Sequence, residues 1–121
     1  MQENEYPRFS SISVIAPIAL NASLSGIILI PSASCLRIYV PPVFDGTTLT
    51  FQVSEDAVVW SNLKDMFGVE IGAANFVAGD AIQLDPQTFK SIRCLKIRSG
   101  TAAVPVVQTA ARNLVVVYRD Q

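Results

Sequence analysis

A chain of 121 residues is long enough for one domain and too short for two. Half of its residues are hydrophobic and only 16% are charged, against roughly 25% in an ordinary soluble domain. Apolar residues are therefore left over once a core is filled, and surplus of that kind is buried against a partner. Nine Lys and Arg against ten Asp and Glu give a formal charge of −1, which excludes non-specific attraction to nucleic acid or to an anionic membrane.

Residues 1–9, Met-Gln-Glu-Asn-Glu-Tyr-Pro-Arg-Phe, are polar and carry no strand pattern. They read as an extended N-terminal arm ahead of a single domain over residues 10–121, with Tyr6 and Phe9 available for contact with a neighbour. Residues 12–30 are apolar enough to raise the question of a signal or membrane segment. Pro17, Asn21, Ser23, Ser25 and Gly26 interrupt the run and argue against a spanning helix. Ser32-Ala33-Ser34-Cys35 departs from a lipoprotein cleavage box at Ser32, and Glu3 and Glu5 stand where a leader is basic. The expectation is a protein made without export.

Strand signals then follow one another to the end of the chain. Residues 12–15 and 24–30 are short β-branched runs bounded by Pro17, Asn21 and Pro31. Residues 36–40, Leu-Arg-Ile-Tyr-Val, alternate and stop at Pro41-Pro42. Asp45-Gly46 supplies turn chemistry for a reversal into 48–54, where Leu49, Phe51 and Val53 share one face and Thr50, Gln52 and Ser54 a wet one. Shorter runs cover 58–63, 67–71 and 81–84. Asp85-Pro86 offers an N-cap followed by proline at the first helical position, enough for one turn over 85–89. Residues 93–99 place Leu95 and Ile97 inward, and the basic set Lys90, Arg93, Lys96 and Arg98 reads as a solvated face. The stretches near Ala73 and Ala102 read as loops. Residues 114–118, Leu-Val-Val-Val-Tyr, are apolar on both faces, so this strand is central or is covered by another layer or chain. About nine short strands with regular turn signals specify an all-β fold: a single antiparallel β-sandwich, jelly-roll or Greek-key in topology.

The parts for catalysis are missing. With no histidine in the chain, Ser-His and Cys-His nucleophile systems are impossible within it. There is no glycine-rich phosphate loop. Glu55-Asp56 is the only adjacent acidic pair that bears on a carboxylate mechanism, and neighbouring strand residues point to opposite faces; it reads as a solvated turn. Cys35 and Cys94 form no CxxC pair, which excludes a zinc site; they read as two buried thiols, with a single disulfide between them the alternative. No enzyme, metal or cofactor is expected.

Two resemblances add to this reading. Residues 48–63, Thr-Leu-Thr-Phe-Gln-Val-Ser-Glu-Asp-Ala-Val-Val-Trp-Ser-Asn-Leu, resemble the strand–turn–strand segment of discoidin-like carbohydrate-binding sandwiches, with Ala57 where that pattern has glycine. This implies Trp60 as a glycan contact, whereas the plain alternative for Trp60 is a core or interface anchor. Residues 44–119 resemble small virion proteins of tailed bacteriophages. That likeness rests on Leu49-Thr50-Phe51-Gln52-Val53-Ser54, Ile82-Gln83-Leu84-Asp85-Pro86, Leu95-Lys96-Ile97-Arg98-Ser99-Gly100-Thr101, Pro105, Gln108 and the strand over 114–118. It implies a structural component at the capsid, a decoration (cement) protein or fibre base, bound to the major capsid protein or other virion proteins and to copies of itself. Its location would be the virion, after synthesis in the host cytoplasm. Tyr6, Phe9, Tyr39, Val115 and Val117 are the interface candidates; a domain of a larger tail fibre is a third reading.

Overall fold

The computed structural model describes residues 11–30 and 36–119. Nine strands and one helical turn succeed one another: β1 (Ser11–Ile18), β2 (Ile28–Leu29), β3 (Leu36–Tyr39), β4 (Thr48–Ser54), β5 (Ser61–Asn62), β6 (Gly72–Ala74), β7 (Ala81–Leu84), α1 (Pro86–Phe89), β8 (Cys94–Ser99) and β9 (Arg112–Arg119). All pairings are antiparallel and form two sheets. The front sheet has the order β1-β9-β3-β7; the back sheet has the order β2-β8-β4-β5, with β6 also paired to β4. Among the described residues the chain is all-β apart from α1, as expected.

The two sheets share one core. From the front sheet it takes Ala16, Ile18, Leu36, Ile38, Leu84, Leu114, Val116 and Tyr118; from the back sheet it takes Ile28, Leu49, Phe51, Leu95 and Ile97. Core residues alternate along each long strand, with Ile12, Val14 and Val53 packed partly buried against the set, because successive side chains of a strand point to opposite faces. Phe89 on α1 closes the core edge-on against Phe51, ring centroids 5.1 Å apart. The Tyr118 hydroxyl reaches across to donate to the Leu29 carbonyl at 3.4 Å. Burial of this many large side chains, at about 1.5–3 kcal/mol each, is the main stabilising term.

Several local expectations hold. β4 and β7 have the bounds read from the sequence, and α1 begins where Asp85 caps it, the carboxylate accepting from the Gln87 amide at 3.0 Å. β9 lies between β1 and β3, the central place its two apolar faces require. Cys94 is a buried free thiol; Cys35, Tyr6, Phe9 and the rest of the arm lie outside the described residues.

Others need correction. β1 does not stop before Pro17 but runs through it to Ile18, which is tolerated because β1 is an edge strand and proline removes only one donor. Asp45-Gly46 does not fold β3 back onto β4: the two strands lie in different sheets, and the connection crosses between them. Asp45 instead clasps the loop before β9, accepting from the Thr109 amide at 2.7 Å and hydroxyl at 2.9 Å. Gln108, fully buried, stitches the same place by accepting from the Asp45 amide and donating to its carbonyl. Residues 72–74, read as loop, form β6. Glycine is required there, since a Cβ at Gly72 would collide with the Leu49 carbonyl oxygen.

Candidate protein interface

The outer face of the front sheet is built by the alternate residues of its four strands. Leu36 and Ile38 point inward, so Arg37 and Tyr39 point outward, and the same parity sends Ser13, Ile15 and Pro17, Val115 and Val117, and Ala81 and Gln83 to that side. The register aligns them into rows. Ile15 faces Val115, Val115 faces Tyr39, and Tyr39 faces Ala81, one apolar row across all four strands. Beside it runs Ser13, Val117, Arg37 and Gln83. Arg37 holds the second row together, donating from Nε to Gln83 Oε1 at 2.9 Å and from Nη1 to the Tyr39 hydroxyl at 3.3 Å.

Tyr39, Val115 and Val117, three of the interface candidates read from the sequence, thus stand on one surface. Ile15 is 57% exposed and Tyr39 40%, values that leave a β-branched side chain on the edge strand and an aromatic one on an inner strand wet. Ile15, Pro17 and Ala81 belong to this surface and were not among the candidates. Alternation through 14–18 would have revealed Ile15 had Pro17 not been taken as a strand end.

The outer face of the back sheet is different in kind. Thr50 pairs with Arg98, Gln52 with Lys96 and Ser54 with Cys94. Arg98 is not solvated, as the basic run implied, but 6% exposed. Its guanidinium donates to Thr50 Oγ1 at 3.0 Å, to Asn62 Oδ1 at 3.1 Å and to Glu70 Oε2 at 2.8 Å. Glu70 also accepts from the Ala102 amide, and the Thr50 hydroxyl donates to the Gly100 carbonyl. Each of the three guanidinium nitrogens thus donates a hydrogen bond, and the carboxylate balances the charge, which is what a buried cation requires. The wet face expected of β4 is therefore covered: Thr50 and Ser54 are buried. Trp60 lies half-buried with the Lys96 ammonium 4.4 Å from its ring centroid, so a cation occupies one face of the indole.

Between β5 and β6 the chain leaves the edge of β4 as a short excursion bridged at Lys64 and Glu70. Asp65 shapes its tip, its carboxylate accepting from the Phe67 and Val69 amides. Met66 and Phe67 project from it, 90% and 83% exposed.

A shallow cleft of about 460 Å³ lies near Ser54, Glu55, Asp56, Ser61 and Ser91. Glu55 and Asp56 are exposed, as a solvated turn would be. Asp56 caps this turn: Oδ1 accepts from the amides of Val58 and Val59 and from the Ser54 hydroxyl. The Val59 amide first, then that of Val58, holds the carboxyl below its ordinary range, which keeps it ionised. Ala57 in the same turn adopts φ 62°, the conformation a glycine would take freely. Among the described residues no group of three or more His, Cys, Asp or Glu side chains is placed to hold a metal ion. Compared with protein-family models, curated proteins and solved structures, the chain matches none of them.

Proposed function

We propose that this chain is a non-enzymatic structural subunit that binds copies of itself and other virion proteins, as a capsid decoration (cement) or fibre-base component of a tailed bacteriophage. The observation that carries the assembly part is the outer face of the front sheet, where Ile15, Val115, Tyr39 and Ala81 form an exposed apolar row across four strands. A monomeric domain that is folded and soluble has no need of such a row, whereas a face buried on assembly does. The virion part rests on the order and spacing of the sequence blocks over residues 44–119. Those blocks map onto β4, β7 with the cap of α1, β8 with its following turn, Gln108 and β9. They are frame elements, as expected of a protein whose task is to hold shape.

The strand orders support a jelly-roll reading. The chain alternates between the sheets on nearly every connection, and its last strand inserts between the first and third, the wrapping expected of two nested Greek keys. In this reading residues 1–9 are an arm and residues 10–121 the domain. The major capsid protein is the proposed partner, and the virion the proposed location.

Two measurements test the proposal. Light scattering after size exclusion, over a hundredfold dilution range on the order of μM, should give a multiple of the 13.1 kDa chain mass. Purified protein should co-sediment with capsids of the encoding phage from which it has been removed. A 13.1 kDa species that stays in the supernatant at every concentration would sink the reading.

A further inference from the structure

We propose that the apolar row of the front sheet is the seat of the first ten residues of a second copy of this chain, with Tyr6 and Phe9 laid over Ile15, Val115, Tyr39 and Ala81. The inference rests on the assembly reading above and names the element that fills the face.

Where the segment joins the fold is the first argument. Residue 11 opens β1, and β1 is the edge strand of the front sheet. Ten residues span up to roughly 33 Å when extended. The face measures about 14 Å from β1 to β7 at the usual strand spacing, and about 25 Å along β1. The segment is therefore long enough to cross the whole row on a neighbouring copy.

Composition is the second. Tyr6, Pro7 and Phe9 place two aromatic rings and a proline within four residues, preceded by Glu3 and Glu5. The two rows of the face are apolar or neutral except for Arg37. Aromatic anchors are the usual centre of such contacts.

Direction and area favour another copy over the segment's own domain. To lie on its own sheet the chain must reverse immediately before residue 11. Arg8-Phe9-Ser10 contains no glycine, asparagine or aspartate, the residues that take the left-handed conformation of the tightest turns. The sheet face offers on the order of 400 Å², about half of the roughly 800 Å² per partner in a standard interface. Bare sheet-on-sheet stacking of two copies falls short, and an exchanged arm supplies contact from each chain in turn.

The test uses the full chain with Cys35→Ser and Cys94→Ala as a thiol-free background. Phe9→Cys combined with Val115→Cys is oxidised and run without reductant. Disulfide-linked dimers and higher ladders are expected. A product linked only within one chain, or no linked product, would overturn the inference. In parallel, Tyr6→Ser/Phe9→Ser and Ile15→Glu/Val115→Glu are compared by light scattering, with thermal melting to establish that each is folded. Both pairs should raise the dissociation constant roughly tenfold or more. If only the sheet pair does so, the face is an interface but the arm does not fill it: the inference fails and the assembly reading stands. A wild-type monomer at every concentration with no cross-link removes both.

Discussion

The two outer faces of this protein are both built from antiparallel strands and differ in chemistry. On the back sheet the chain covers its own surface. Arg98, Thr50, Asn62 and Glu70 form a closed set of hydrogen bonds, and Trp60 lies against Lys96. On the front sheet nothing among the described residues lies over Ile15 and Tyr39, which remain 57% and 40% exposed. A face that satisfies its own polar groups has no use for a partner, whereas an apolar face gains from one in proportion to the area it buries. Exposure by itself is a poor guide to an interface. Met66 and Phe67 are more exposed than Ile15, but they sit at the tip of a short excursion, not in a row that strand register has aligned.

The largest expected effect comes from breaking the covered face. Arg98→Ala would leave Glu70, a half-buried carboxylate, without its cation, and would take one partner from the Thr50 hydroxyl, which keeps its bond to the Gly100 carbonyl. Loss of one partner of a buried pair costs about 3 kcal/mol, read as a lowered denaturant midpoint. A melt unchanged by Arg98→Ala would mean that the excursion is not held by the sheet. Next comes Gly72→Ala. Its Cβ would collide with the Leu49 carbonyl, so β6 must part from β4, at about 2 kcal/mol. The front face should behave in the opposite way. Ile15→Glu or Val115→Glu should alter monomer stability by less than about 1 kcal/mol, as outward substitutions do, while weakening self-association.

The smallest effect concerns pH. The Thr109 amide, then its hydroxyl, holds the Asp45 carboxyl below its usual 3.8, with Arg112 contributing less. A carboxylate depressed in the folded state contributes stability above the unfolded value, lost as pH falls through the folded one. Acid titration of the thermal melt should therefore show an extra decline below about pH 4 that Asp45→Asn removes. An unaltered acid limb would show that the clasp adds nothing.

Much of the frame was legible in the chain because it is written in period-two alternation and local caps. Leu49, Phe51 and Val53 against Thr50, Gln52 and Ser54 gave β4 its bounds and its inner face, and Asp85-Pro86 gave α1. What escaped depends on partners distant in sequence. Arg98 looks like a surface cation until Asn62 and Glu70 fold onto it, and nothing local to β8 announces them. Gly72 looks like a loop residue because the reason for glycine is the Leu49 carbonyl, more than twenty positions earlier. Asp45-Gly46 carries hairpin chemistry but serves a crossing between sheets, since β3 finds β9 and β7 as its neighbours. The candidate face was half legible. Val115 and Val117 were marked by a strand apolar on both sides, and Tyr39 by alternation in β3, whereas Ile15 was hidden by Pro17.

On the proposed reading the front face is for a partner and the back face is not. The most direct test is the absolute mass of the full chain carrying Ile15→Glu/Val115→Glu beside that of a chain carrying Gln52→Glu on the back sheet. At the same concentration the first should fall to the 13.1 kDa of a single chain while the second keeps the assembled mass of the wild type. Equal masses for the two variants, whether both assembled or both monomeric, would contradict the account.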